Sequence, residues 1–191
     1  MDRRRFLKTA GVGSVALAAT PSFIGAMAGT AGAKREDGGE RKAGFIFQCL
    51  SKVAATPAKD FAILTGAGNI EPSEGEVEGG GFFTHFDATT PIPRTIIGSG
   101  TWRARELISW VDAGDYGVDK AGRLKMTVQV RRLIPSPGVL PGEMTVTCNI
   151  GAAGLAPSPP SEEGVNLEVA GLEFEPVAGL TVFTNRKVDI D

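Results

Sequence analysis

The chain has 191 residues, 42% of them apolar, with 26 glycines, 12 prolines and a formal net charge of −2. That length suits one domain with an accessory segment, and the glycine and proline content implies many turns. The balance of charge argues against a general nucleic-acid binder. Outside the N-terminus no long amphipathic helical period occurs, so a parallel α/β fold is not expected.

Residues 2–8 read Asp2-Arg3-Arg4-Arg5-Phe6-Leu7-Lys8. Two arginines, a variable residue, two apolar residues and a lysine form a pattern that resembles the twin-arginine export signal. Arg3 and Arg4 match the pair, Arg5 the variable place, and Phe6, Leu7 and Lys8 the rest. A weakly apolar run from Thr9 to Met27 follows, too rich in Gly, Ser and Thr to make a stable membrane anchor. Ala31-Gly32-Ala33 then supplies a small-x-small cleavage pattern. The resemblance implies recognition by the twin-arginine translocase, cleavage after Ala33 and a periplasmic or extracellular destination. Cleavage removes Arg3, Arg4, Arg5 and Lys8 from the 20 basic residues and Asp2 from the 22 acidic ones, leaving a net charge of −5. Such a surface favours solubility over binding to anionic membranes or nucleic acid. The twin-arginine route carries folded proteins and is associated with cofactor insertion, which makes cofactor motifs in the remaining chain relevant.

Residues 34–43 are charged and lack apolar periodicity, so a flexible leader is expected before a domain over 44–191. Phe45 to Val53 reads as a strand with Phe45, Phe47 and Cys49 on one face. Phe61 to Thr65 is a short strand, and Gly66-Ala67-Gly68-Asn69 reads as a turn. Gly79-Gly80-Gly81 either brings backbone close to a ligand or marks a bulge or tight crossing in a sheet. It is not a phosphate loop, because no Gly-Lys-Ser/Thr follows. Phe82 to Phe86 reads as a strand, Arg94 to Ile97 as an edge strand, and Thr101 to Trp110 as a longer one. On that longer strand Trp102, Ala104, Ile108 and Trp110 are expected to share a face, and Asp112 to Gly122 to form a loop.

The clearest pattern lies further on. Leu124, Met126, Val128 and Val130 alternate with Arg123, Lys125, Thr127, Gln129 and Arg131. After a Pro/Gly-rich turn from Pro135 to Gly142, the alternation resumes through Met144, Val146, Cys148 and Ile150. Period-two alternation on both sides of a turn reads as an antiparallel pair with one buried face. A Gly- and Pro-rich excursion follows, then short alternating runs at Val165–Val169, Leu172–Phe174 and Leu180–Thr184. Val188 and Ile190 continue the last of these or fray. Eight to ten strands without intervening helices predict an all-β antiparallel sandwich or barrel.

The chemistry-bearing residues are few. His85 is the one histidine, and with Cys49 and Cys148 it cannot assemble a conventional zinc or blue-copper site. No Cys-x-x-Cys pattern supports redox or haem chemistry, so neither metal nor cofactor is expected. Asp112, Asp115 and Asp119 do not match a calcium-loop spacing. Cys49 and Cys148 sit on apolar faces and form either one disulfide or two buried thiols; a bridge is expected if their strands approach. His85 and Asp87 are weak acid–base candidates, two apart at a strand end. Arg103, Arg105, Arg123, Lys125 and Arg131 are weak binding candidates, forming a basic stripe if their strands are neighbours; solvated sheet faces and edges use Lys and Arg in the same way.

With no motif nucleophile beside His85, the reading leans toward a non-catalytic exported module that binds an unidentified ligand or protein partner or serves structurally. The alternative is a small β-barrel enzyme, of isomerase or lyase type, acting on an apolar substrate with His85, Asp87 or an arginine as its polar groups. A deep pocket containing His85 favours the enzyme; an interior filled by aromatic and aliphatic side chains favours the binding module.

Overall fold

The computed structural model describes residues 42–54, 60–149 and 163–185. The export-signal residues Arg3, Arg4, Phe6, Leu7 and Lys8, the cleavage position Ala33 and the leader through residue 41 lie outside them. So do 150–162 and the last six residues, with Val188 and Ile190.

The described chain forms eight antiparallel strands: β1 (Ala43–Val53), β2 (Phe61–Glu71), β3 (Glu76–Phe86), β4 (Ile96–Tyr116), β5 (Asp119–Ile134), β6 (Gly138–Cys148), β7 (Gly164–Val169) and β8 (Leu172–Thr184). They follow one another around a closed barrel, with β1 pairing β8 to complete the ring. The expectation of an all-β antiparallel fold holds, and the choice between sandwich and barrel falls to the barrel. Closure satisfies the strand edges that an open sheet would expose.

The barrel is not of even width. β6 reaches only as far as the pairing of Cys148 with Gly122, and β7 pairs β8 only from Leu167↔Phe174 to Val169↔Leu172. Beyond these limits β8 crosses to β5 directly, through Asp119↔Thr184 and Lys120↔Phe183. One end is therefore ringed by six strands and the other by eight, with the six-stranded end open between β3 and β4, whose pairing stops at Gly80↔Arg103. Barrel diameter grows with strand number, so the eight-stranded mouth is the wider.

Alternation along the strands sends one set of residues inward. Phe45, Phe47, Leu64, Ile70, Trp102, Leu124, Met126, Met144, Val146 and Phe183 are almost completely buried. Phe47 stacks on Trp102 with ring centroids 5.6 Å apart, and the indole N–H donates to the Thr65 carbonyl at 2.9 Å. This aromatic layer plugs the middle of the barrel.

The plug explains the glycines. Gly66 pairs Gly81 and Gly68 pairs Gly79 across β2 and β3. A Cβ on Gly66 would sit 2.2 Å from Trp102 Cζ2, and one on Gly68 would sit 2.3 Å from Phe45 Cζ. The four glycines form a bare patch against which the rings lie. Gly66-Ala67-Gly68-Asn69 is therefore not a turn but the middle of β2. Glycine's unfavourable strand entropy is outweighed here by aromatic packing that only a missing side chain allows. The same contacts identify Gly79-Gly80-Gly81 as a close crossing within the sheet.

Two further expectations change. Arg94–Ile97 and Thr101–Trp110 are not separate strands; β4 runs from Ile96 through both, and most of the expected 112–122 loop is strand. Register shifts at Ala104/Glu106 and Leu107/Ser109 also switch faces along β4. Trp102, Ala104, Leu107 and Trp110 pack on the core, while Ile108 is 45% exposed. A bulge inserts one residue and so reverses the alternation beyond it.

The expected disulfide is not formed. Cys49 on β1 and Cys148 on β6 are both buried thiols. Between their strands lie β7 and β8, so the cysteines occupy separated staves of the barrel rather than adjacent ones. A shared apolar face means a shared interior, not the close approach that a bridge demands. Burial and the nearby Glu163 push the Cys49 thiol up to about 11, the value of an unreactive side chain.

Candidate binding cavity at the wide mouth

The wide end gathers Val53, Phe61, the end of β3, the start of β4, the end of β5, the start of β6 and the β7–β8 turn. Here the interior is not filled. A cavity of about 130 Å³ lies between Ala62, Leu64, Phe83, Leu140, Leu167 and Phe174, with His85 and Arg132 among its walls. At about 10–15 Å³ for each water-sized position, that is room for roughly ten non-hydrogen atoms. Small inward residues leave the space: His85 pairs Ala62 on one side and Gly98 on the other. Exposed apolar residues Ile96, Leu133, Ile134 and Val139 surround this end.

His85 projects from the last inward position of β3. Its ring meets Phe174 edge-on at 5.3 Å and an angle of 83°. Nε2 is shielded from solvent and has no hydrogen-bond partner among the described residues. The nearest carboxylate oxygen is Asp60 Oδ2 at 3.9 Å, too far for a hydrogen bond. Burial lowers the His85 pKa from its ordinary 6.5, and the Asp60 charge opposes this more weakly. The imidazole is thus held neutral in the cavity wall, with Nε2 closed off from the free space and 3.9 Å from Asp60. A buried polar atom left without a partner costs free energy.

The depressed pKa has a consequence for stability. Below 6.5 the unfolded chain takes up a proton that the folded chain resists. The contribution of neutral His85 is therefore intact above that pH and is lost as pH falls through it. On going from about pH 8 to about pH 5, the wild-type melting temperature should fall further than that of His85→Gln, which cannot titrate. Parallel curves for the two proteins would refute the assignment.

Asp87 is not the carboxylate beside His85. β3 ends at Phe86, so the alternation that would place residues 85 and 87 on one face stops between them. Asp87 is at the surface and accepts from Thr89 N at 2.8 Å and Thr89 Oγ1 at 2.5 Å, bonds that hold its carboxyl below the usual range. It builds the β3–β4 turn. Arg94 secures the same connection by donating from Nη1 to the Ala88 carbonyl and lying 5.4 Å over the Phe61 ring.

The basic residues do lie on neighbouring strands, since β4 pairs β5 throughout. Arg103 and Arg131 are exposed on the outer surface, and Arg105 donates to Gln129 Oε1. Arg123 and Lys125 lie further along, in an outer groove of about 700 Å³ that also holds Lys52, Glu143, Glu168, Glu173 and Glu175. Lys125 pairs Glu143 at 2.7 Å and Lys52 pairs Glu175 at 3.3 Å. The stripe is divided and partly neutralised, and it does not converge on one anion. Of the three aspartates weighed for calcium, Asp112 and Asp115 embrace the buried ammonium of Lys120, the latter at 3.2 Å. Glu71, Glu74 and Glu76 form an acidic cluster at the β2–β3 hairpin, with Lys42 on Glu71 at 2.6 Å.

Arg132 and Phe174 of the cavity, and Asp60 beside His85, were missed by sequence reasoning. Arg132 was legible: the inward series 124, 126, 128, 130 continues to 132, and its polar type at an apolar position is the signal. Asp60 reaches His85 through the β2–β3 register and Phe174 through barrel closure, which no local pattern contains. Comparison with family models, curated proteins and solved structures finds no match to this chain.

Proposed function

We propose that this protein is an exported β-barrel module that binds a small, largely apolar molecule in the wide-mouth cavity, with one polar group of the ligand toward the His85 and Arg132 side of its wall. The observation that carries the reading is an unfilled, largely apolar chamber at the wide mouth whose wall carries two polar side chains, His85 and Arg132. The aromatic plug supports binding over a through-channel, because it gives the chamber a floor. Hexan-1-ol is a suitable probe, with a chain that fits the space and one hydroxyl. Calorimetric titration should give a Kd of about a millimolar or tighter. Leu140→Trp, which fills the half-open rim, should abolish binding while the fold persists by circular dichroism. Equal binding by the variant would place the alcohol elsewhere, and no binding by the wild type would remove the reading.

A second reading rests on Asp60, 3.9 Å from His85. A carboxylate near a neutral imidazole is an arrangement suited to proton transfer, as an isomerase or lyase would use. His85→Gln separates the two, since glutamine preserves hydrogen bonding but not proton transfer. A pure binding module keeps its affinity for hexan-1-ol within about threefold, whereas an enzyme loses turnover.

Export by the twin-arginine route belongs to the same proposal and is supported by Arg3-Arg4 with Phe6-Leu7-Lys8. Lysine at both arginine positions should block processing after Ala33 in cells. Unchanged export of that variant would sink the assignment.

A further inference from the structure

The walls of the cavity carry two polar side chains, His85 and Arg132, among apolar residues and glycine. They reach it from β3 and β5, with β4 between them. On β4 the residues opposite them are both glycine: His85 pairs Gly98 and Arg132 pairs Gly100. The imidazole lies against Gly98, whose added Cβ would be 3.7 Å from Nδ1, while the Phe83 ring lies over Gly100 and Ile97 of β4 also lines the cavity. The guanidinium of Arg132 is oriented by neutral partners. Nε donates to the Ser136 carbonyl at 2.9 Å and Nη2 to Ser136 Oγ at 3.2 Å, both at the exposed β5–β6 turn, so the guanidinium stands at the mouth of the cavity. It forms no ion pair among the described residues, unlike Lys42, Lys52, Lys120 and Lys125.

A fixed guanidinium without a counter-charge beside an apolar chamber is matched by an anion with an apolar tail. Building on the cavity reading above, we infer that the ligand class is a short apolar carboxylic acid, bound as its carboxylate. Arg132 takes the head, and the tail lies against Leu64, Leu167 and Phe174. Asp60 disfavours negative charge beside His85 Nε2, so the head is centred on Arg132. This makes Arg132 the specificity-determining residue.

The test compares hexanoate, hexan-1-ol and hexylamine by calorimetric titration of the full chain. Hexanoate should bind at least about tenfold more tightly than hexan-1-ol, the gain expected of a charge-assisted hydrogen bond over a neutral one. Hexylamine should bind most weakly. Arg132→Gln should erase the advantage of hexanoate over hexan-1-ol. Arg132→Lys, which keeps the charge but not the fork, should recover part of it. Wild-type protein that binds hexan-1-ol as well as hexanoate, or an Arg132→Gln variant that binds hexanoate undiminished, overturns the carboxylate assignment and leaves the cavity reading standing. Failure of all three probes overturns both.

Discussion

Gly81→Ala should lower stability by about 3 kcal/mol or more, and the melting temperature by roughly 10 °C. The new Cβ would lie 1.9 Å from the Thr65 carbonyl oxygen and 2.7 Å from the Gly66 Cα. Both are backbone atoms of the paired strand, so no side-chain rotation relieves the contact. β2 and β3 must separate, and the glycine patch that receives Phe47 and Trp102 must move with them. Gly138→Ala is the control, because the nearest atom to its Cβ is the end of the Arg132 side chain at 3.7 Å. It should change stability by no more than about 0.5 kcal/mol. The two variants differ by the same single methyl group, so equal melting temperatures would show that the glycine patch does not limit the packing.

Trp102→Ala should cost about 3–5 kcal/mol. The indole is 1% exposed, stacks on Phe47 and bonds the Thr65 carbonyl. Its removal empties the centre of the barrel and leaves a buried carbonyl without its donor. Trp102→Phe keeps part of the stack but not the bond and should fall between. The account also predicts coupling. Gly66→Ala clashes with Trp102 Cζ2 in the wild type, but much of that clash disappears once Trp102 is alanine. In a double-mutant cycle, the cost of Gly66→Ala should shrink by at least about 1 kcal/mol in the Trp102→Ala background. Denaturant melts of the four proteins measure this directly, and strict additivity would contradict the packing.

These two residues also mark where the sequence was legible. Alternation in Arg123–Arg131 and Met144–Cys148 located β5, β6 and their inward faces, because period-two burial is a local property of a chain packed on one side. The glycines of β2 were misread as a turn because their purpose is set by rings from β1 and β4, which only closure brings to them. Ile108 was misplaced because a bulge has no strong local signature. The cysteine pairing failed for a related reason: an inward face is readable, but distance around the barrel depends on strand order. The candidate site divides in the same way. His85 could be singled out by residue type and Arg132 by extending the alternation, whereas Asp60 is joined to them only by β2–β3 register.

The His85 imidazole stands in the wall of the cavity proposed to take a small apolar ligand. The most direct test is the nitrogen resonance of the His85 imidazole, followed by NMR at pH above its ordinary 6.5 while hexan-1-ol is added. The spectrum holds one histidine, so its assignment is immediate. A saturable shift of Nε2, together with shifts of the Leu64 and Leu167 methyl groups and none in Leu140→Trp, is the predicted result. An Nε2 resonance that stays fixed while the alcohol binds, or one unchanged at saturating alcohol, would contradict the account.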